Sequence, residues 1–112
     1  MAVFRLALLE EAKDFLQSLP EQAYKKILYN VDRVARGEKN RELFKKLENS
    51  EIWEFRTLSN GIAYRLFAFW DTDRQTLVVA THGIIKKTQK TPRKEIARAE
   101  AIMKKYFELK KK

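Results

Sequence analysis

The stretch "EIWEFRTLSNGIAYRLFAFW", residues 51–70, decides how this chain is read. Two runs rich in aromatic and aliphatic residues flank Asn60-Gly61. That dipeptide suits a two-residue type I′ hairpin turn, because both turn positions need a positive φ. A two-residue loop also sets the register. Ser59 faces Ile62, and counting back places Leu58 against Ala63, Thr57 against Tyr64 and Arg56 against Arg65. Phe55 then opposes Leu66, Glu54 opposes Phe67 and Trp53 opposes Ala68. Opposed residues share a face of the sheet. One face carries Trp53, Phe55, Thr57, Tyr64, Leu66 and Ala68 and reads as core covered by helices. The other carries Glu54, Arg56, Arg65, Phe67 and Phe69.

On this second face two arginines meet across the strands. Like charges so opposed are destabilising unless something compensates them. Glu54 can offset one. Two readings follow: a solvated ion-pair face, or an anion site in which two guanidiniums on rigid strands grip a phosphate bidentately. In the second reading Phe67 is placed to stack a base. A slip of one residue would pair Arg56 with Tyr64 and send Arg65 to the other face.

Working outward, "TLVVATHGII" reads as a third antiparallel strand after the polar turn "DTDRQ". A four-residue loop here, residues 71–74, puts His82 on the Arg65 face; a five-residue loop puts it on the Tyr64 face. "AVFRLAL" reads as a first strand. "LEEAKDFLQSL" shows helical spacing, with Glu10 and Glu11 at the positive end of the helix dipole. Pro20 opens a second helix with an apolar stripe through Ala23, Tyr24, Ile27, Leu28, Val31, Val34 and Ala35, and Gly37 caps it. "GEKNRELFKKLENS" reads as a polar connection pinned by Leu43, Phe44 and Leu47. Thr91 and Pro92 start the last helix as cap and first residue, with Ile96, Ala99, Ile102, Met103, Tyr106 and Phe107 on its buried stripe. The order β-α-α-β-β-β-α predicts one α+β domain over residues 1–112. Its sheet is expected to be mainly antiparallel, four-stranded, with the helices on one face.

With 112 residues and 45% hydrophobic content, the chain is expected to fold around one core. The absence of cysteine excludes disulfides and thiolate zinc sites, and a single histidine argues against a metal site or metal cofactor. No basic n-region with an apolar h-region opens the chain, and no apolar run approaches the roughly 20 residues that span a bilayer. A cytoplasmic protein is expected. The net charge of +9 is uneven: residues 86–112 hold 11 basic and 3 acidic residues. Much of that charge begins in "HGIIKKTQKTPRKE", residues 82–95. Localised positive charge suits an acidic partner such as a nucleic acid, or is a solvated basic tail.

The segments "KLENSEIWEFRTLSNGIAYRLFAFW" and "LVVATHGIIKKTQKTPRKEIARA" together resemble the phage-derived, HigB-like toxins of the RelE/ParE superfamily. The likeness rests on Trp53-Glu54-Phe55-Arg56, Tyr64-Arg65, His82-Gly83, Lys86-Lys87-Thr88-Gln89 and Thr91-Pro92. It implies the toxic half of a type II toxin–antitoxin module, a ribosome-dependent messenger-RNA endonuclease working without a cofactor. It also implies a cognate antitoxin, often a helix-turn-helix protein, and operator DNA met only through the antitoxin complex. RNA cleavage of this kind uses the 2′-hydroxyl as nucleophile. It needs a base, charge stabilisation and an acid. Arg56 and Arg65 are the expected phosphate clamp. Lys86 or Lys87 acts as base only if burial or neighbouring charge lowers its pKa; His82 and Glu54 are the other acid/base candidates. Lys86, Lys90, Arg93 and Lys94, with Phe67, are the expected RNA contacts. ParE-like toxins share the fold but poison DNA gyrase, so fold leaves the activity open. A basic nucleic-acid-binding module without toxicity is the third reading.

Overall fold

The computed structural model describes residues 3–74, 76–86 and 90–111. Its elements are β1 (Arg5–Leu8), α1 (Glu10–Gln17), α2 (Glu21–Ala35), β2 (Phe44–Lys46), β3 (Trp53–Ser59), β4 (Ile62–Trp70), β5 (Leu77–Lys86) and α3 (Arg93–Lys110). The hairpin register is the expected one at every pair from Ser59–Ile62 to Trp53–Ala68, with Arg56 opposite Arg65. Both turn residues, Asn60 and Gly61, have positive φ. The α+β class holds.

Two details of the expected architecture are corrected. The sheet has five strands in the order β1-β5-β4-β3-β2, with β1 parallel to β5. The fifth strand is β2, formed by Phe44–Lys46 inside the expected polar connection. Its residues divide between the two faces: Phe44 stacks on Phe55 and Trp53, while Lys45 sits opposite Glu54 on the other face. The helices also do not share a face. α1 and α2 cover Phe55, Tyr64, Leu66 and Ala68, whereas α3 covers Phe67, Phe69 and Val79. The sheet thus buries apolar side chains on both sides, and α3 leaves one end of its face uncovered.

The β4–β5 register explains where His82 points. Trp70 pairs with Val78, so seven positions separate the paired residues, more than either loop length expected. Continued without interruption, that pairing would turn His82 towards the α1–α2 side. A bulge between Phe67 and Ala68 leaves Thr81 unpaired and restores His82 to a position opposite Phe67. Gly83 follows on the opposite face, where a Cβ would collide with the ring of Phe15. The glycine is there for close helix-to-sheet packing.

Polar links fasten α3 along its length. Near its start Glu95 meets His82, whose Nε2 lies 3.0 Å from the Glu95 carboxylate. Arg98 pairs with Glu11 of α1. At its end the Tyr106 hydroxyl donates to Asp71 at 2.6 Å and the Lys110 ammonium at 2.7 Å. Asp71 is fully buried. Burial alone would raise its pKa, but Lys110, Tyr106 and the Asp73 backbone N–H outweigh it and hold the carboxyl at about 2.

Two outcomes are expected. Gly83→Ala should destabilise by about 1–3 kcal/mol, the cost of overpacking, in chemical denaturation. Asp71 has a folded pKa below its unfolded value near 3.9, so its contribution is full above that value and fades as pH falls towards about 2. Asp71→Asn should therefore lower Tm at pH 7, and the deficit should shrink across that acid window in thermal melts.

Candidate nucleic-acid interface

The antiparallel pairing fixes the rows of the second face. Leu58, Ala63 and Lys86 form one row, Arg56, Arg65 and Ile84 the next, and Lys45, Glu54, Phe67 and His82 the third. The apolar end of this face lies under α3. The charged end opens into a groove of about 900 Å³ between the sheet, the β2–β3 connection and the start of α3. Arg41, Lys45, Lys46, Arg56 and Lys86 line one side, and Lys90, Arg93 and Lys94 the other. Lys86, Lys90, Arg93 and Lys94 thus line one groove. Lys87 lies outside the described residues.

Beneath the groove the two arginines flank one carboxylate. Glu54 is 3% exposed; its oxygens lie 3.6 Å from Arg56 Nε and 3.7 Å from Arg65 Nε. These are ion-pair distances, beyond good hydrogen-bond length. Both Nε–H groups are buried and donate to no described atom. An unsatisfied buried donor costs about 1–3 kcal/mol, more when charged. One other donor of Arg65 is occupied by the Tyr64 carbonyl at 3.1 Å. The Arg65 side chain is 9% exposed and that of Arg56 is 30%. Arg56 therefore presents the pair to the groove and Arg65 backs it.

Electrostatics follow from this crowding. Burial pulls the Arg65 pKa below its ordinary value; Glu54 opposes the shift and Arg56 adds to it. Burial likewise lowers the Lys86 pKa, and Arg65 lowers it further; Glu54 opposes, while Arg56 and Lys45 add to the lowering. Lys86 thus meets the condition set for a lysine base. Cationic neighbours and partial burial both favour its neutral amine.

Three expectations are corrected. Phe67 is not a base-stacking ring: it is fully buried in the core beneath α3 and packs on His82. His82 shares the arginine face but is 2% exposed, with Nε2 at Glu95 and Nδ1 at the Thr81 hydroxyl. Burial lowers its pKa, opposed by Glu95. Both ring nitrogens are engaged in holding α3, so His82 offers no free atom to a substrate. Thr91 does not cap α3. Pro92 takes that position, and the Thr91 hydroxyl donates to Glu54 at 2.9 Å. That bond ties the start of α3 to the carboxylate between the arginines.

Sequence reasoning missed Lys45, Lys46 and Arg41 as groove residues, because β2 was read as a connection. The residues "LFKK" give no period-two signal, since two apolar positions are followed by two basic ones.

The chain belongs to the family of phage-derived Gp49-like proteins (DUF891), whose pattern matches residues 14–104. Its fold is that of the RelE toxins: the free form of an Escherichia coli RelE mutant superposes with a TM-score of 0.62 at 17% identity. That match covers 88% of this chain and 94% of the other. The RelBE2 toxin–antitoxin complex of Mycobacterium tuberculosis matches at 22% identity and a TM-score of 0.48, over 77% of this chain and 94% of the other. No curated protein matches the sequence. Among the described residues, no helix is long and apolar enough to cross a membrane.

If the groove tracks a phosphate backbone, binding should be salt-dependent and largely indifferent to sequence at the phosphate contacts. Arg56→Ala should weaken single-stranded RNA binding and reduce the slope of log K against log salt by about one contact. Fluorescence anisotropy across a salt series measures both.

Proposed function

We propose that this chain is the toxin of a type II toxin–antitoxin module and cleaves messenger RNA on the ribosome. The observation that carries the proposal is the pair of opposed arginines, held by one buried carboxylate with Arg56 open to a basic groove. The family and the RelE-like fold support the same reading. Its neutralising partner is a cognate antitoxin of the helix-turn-helix kind, and its place of work is the cytoplasm.

In this mechanism the groove takes single-stranded RNA, with phosphates along Lys90, Arg93 and Lys94. Arg56 meets the scissile phosphate, and Arg65 supports it from below. Lys86, as the neutral amine, takes the proton of the 2′-hydroxyl. That oxygen attacks phosphorus and forms a 2′,3′-cyclic phosphate. The bond from phosphorus to the 5′-oxygen breaks, and the leaving oxygen takes a proton from solvent. Negative charge grows on the equatorial oxygens during attack, where fixed guanidiniums stabilise it without reorganising. Glu54 keeps the two arginines together against their repulsion, and Thr91 keeps Glu54 in place.

The pH dependence tests this assignment. The Lys86 pKa is lowered from its ordinary value. Cleavage should rise with pH while the amine loses its proton, with a midpoint below that of an ordinary lysine. Lys86→Arg keeps a cation but removes the base. It should lower single-turnover cleavage of messages on translating ribosomes by about 10²–10⁴-fold. A Lys86→Arg variant with an unchanged pH profile and rate would overturn the role. Intact messages with wild-type protein would overturn the nuclease reading itself.

A further inference from the structure

The groove contains a feature at odds with phosphate binding. Glu100, on α3, lines the same cavity as the lysines and arginines. It is not neutralised by any of them: among the described residues its one polar contact is Ser50, whose hydroxyl donates to Glu100 Oε2 at 2.8 Å. Ser50 is itself fixed, because its oxygen accepts the Ile52 backbone N–H at 3.1 Å. The carboxylate is half-buried and held by a neutral hydroxyl. Its second oxygen, Oε1, has no described partner. A carboxylate in a groove that attracts phosphate repels the backbone unless it accepts a hydrogen bond from the ligand. Glu48 also lines the groove but is exposed, and no described side chain orients it.

Position along the groove matters as well. Arg93, at the start of α3, faces the phosphate track, and Glu100 is seven residues further along the helix. At 1.5 Å per residue, that is roughly 10 Å of axial rise. Thr91, just before α3, bonds the Glu54 carboxylate between the arginines, so the start of the helix lies at the pair and Glu100 lies further along, near Ile96 and Ala97, which also line the cavity. An oriented acceptor next to an apolar surface suits the edge of an unstacked nucleobase.

We infer that Glu100 is a specificity-determining residue that reads a donor-bearing base of single-stranded RNA, guanine above the others. Guanine presents N1–H and N2–H side by side on one edge, matching two carboxylate oxygens. Cytosine and adenine offer one amino group beside an acceptor that the carboxylate repels. Uracil offers a single N–H between two carbonyls. This inference rests on the groove binding RNA, as proposed above.

The test uses short uridine oligonucleotides carrying one central guanosine, adenosine or cytidine, or none, bound to the whole chain and followed by fluorescence anisotropy. Wild type should prefer the guanosine oligonucleotide over all-uridine by about tenfold, within the range a bidentate base contact provides. Glu100→Gln keeps size and a partner for Ser50 but turns one acceptor into a donor; it should lose that preference. Glu100→Ala should bind all four more evenly, and the all-uridine oligonucleotide more tightly, because a repulsive charge is gone. Melting temperatures of both variants separate loss of reading from loss of fold. Equal binding of the four by wild type, or an unchanged guanosine preference in folded Glu100→Ala, would overturn the inference. Failure of the RNA reading looks different: Arg56→Ala would then bind every oligonucleotide as wild type does.

Discussion

Two like charges held face to face organise this molecule. The Asn60-Gly61 turn admits one tight register, and that register opposes Arg56 to Arg65. Neither arginine can move away, since each stands on a central strand with neighbours on both sides. Their repulsion is met by Glu54, the next residue on the same face of β3. A buried charge without a partner is costly, and a buried pair contributes little net stability. The triad of Arg56, Arg65 and Glu54 is therefore poor material for stability alone. Its geometry leaves donors unsatisfied, which a purely structural ion pair would not need.

The remaining elements fit around that constraint. α1 and α2 bury the apolar face, so the sheet keeps its shape without help from the charged side. α3 crosses the charged face but covers only its apolar end, where Phe67, Phe69 and Val79 lie. Its start is held by Thr91 on Glu54 and by Glu95 on His82, its end by Tyr106 and Lys110 on Asp71. A helix so fastened forms a fixed wall. It sets Lys90, Arg93 and Lys94 across from Lys45, Arg56 and Lys86 at the width of one groove.

How much of this was legible in the sequence depends on how local each determinant is. The β3–β4 register was readable because a two-residue turn leaves no freedom of length. The β4–β5 register was not, since one bulged residue, Thr81, reverses the outcome of any loop count. β2 escaped notice because three residues are too few for a period-two pattern to stand out. The side on which α3 packs is a matter of connection, and an apolar stripe fits either face. Phe67 shows the consequence: its row on the sheet was read rightly, but the helix above it turns an expected base platform into core. In the site itself, residue types and their face were legible. Which of them reaches the groove, and which holds its wall, came only with the packing of α3.

The central claim is that the paired arginines form the phosphate site of an RNA-cleaving groove. Its most direct test maps RNA 5′ ends in cells after brief induction of the wild type and of Arg56→Ala. Arg56 is open enough to the groove for its loss to spare the core. The account predicts new cuts within translated messages for the wild type and their loss in the variant, with plasmid supercoiling unchanged in both. Intact messages accompanied by inhibited supercoiling, or undiminished cutting by a folded Arg56→Ala protein, would contradict it.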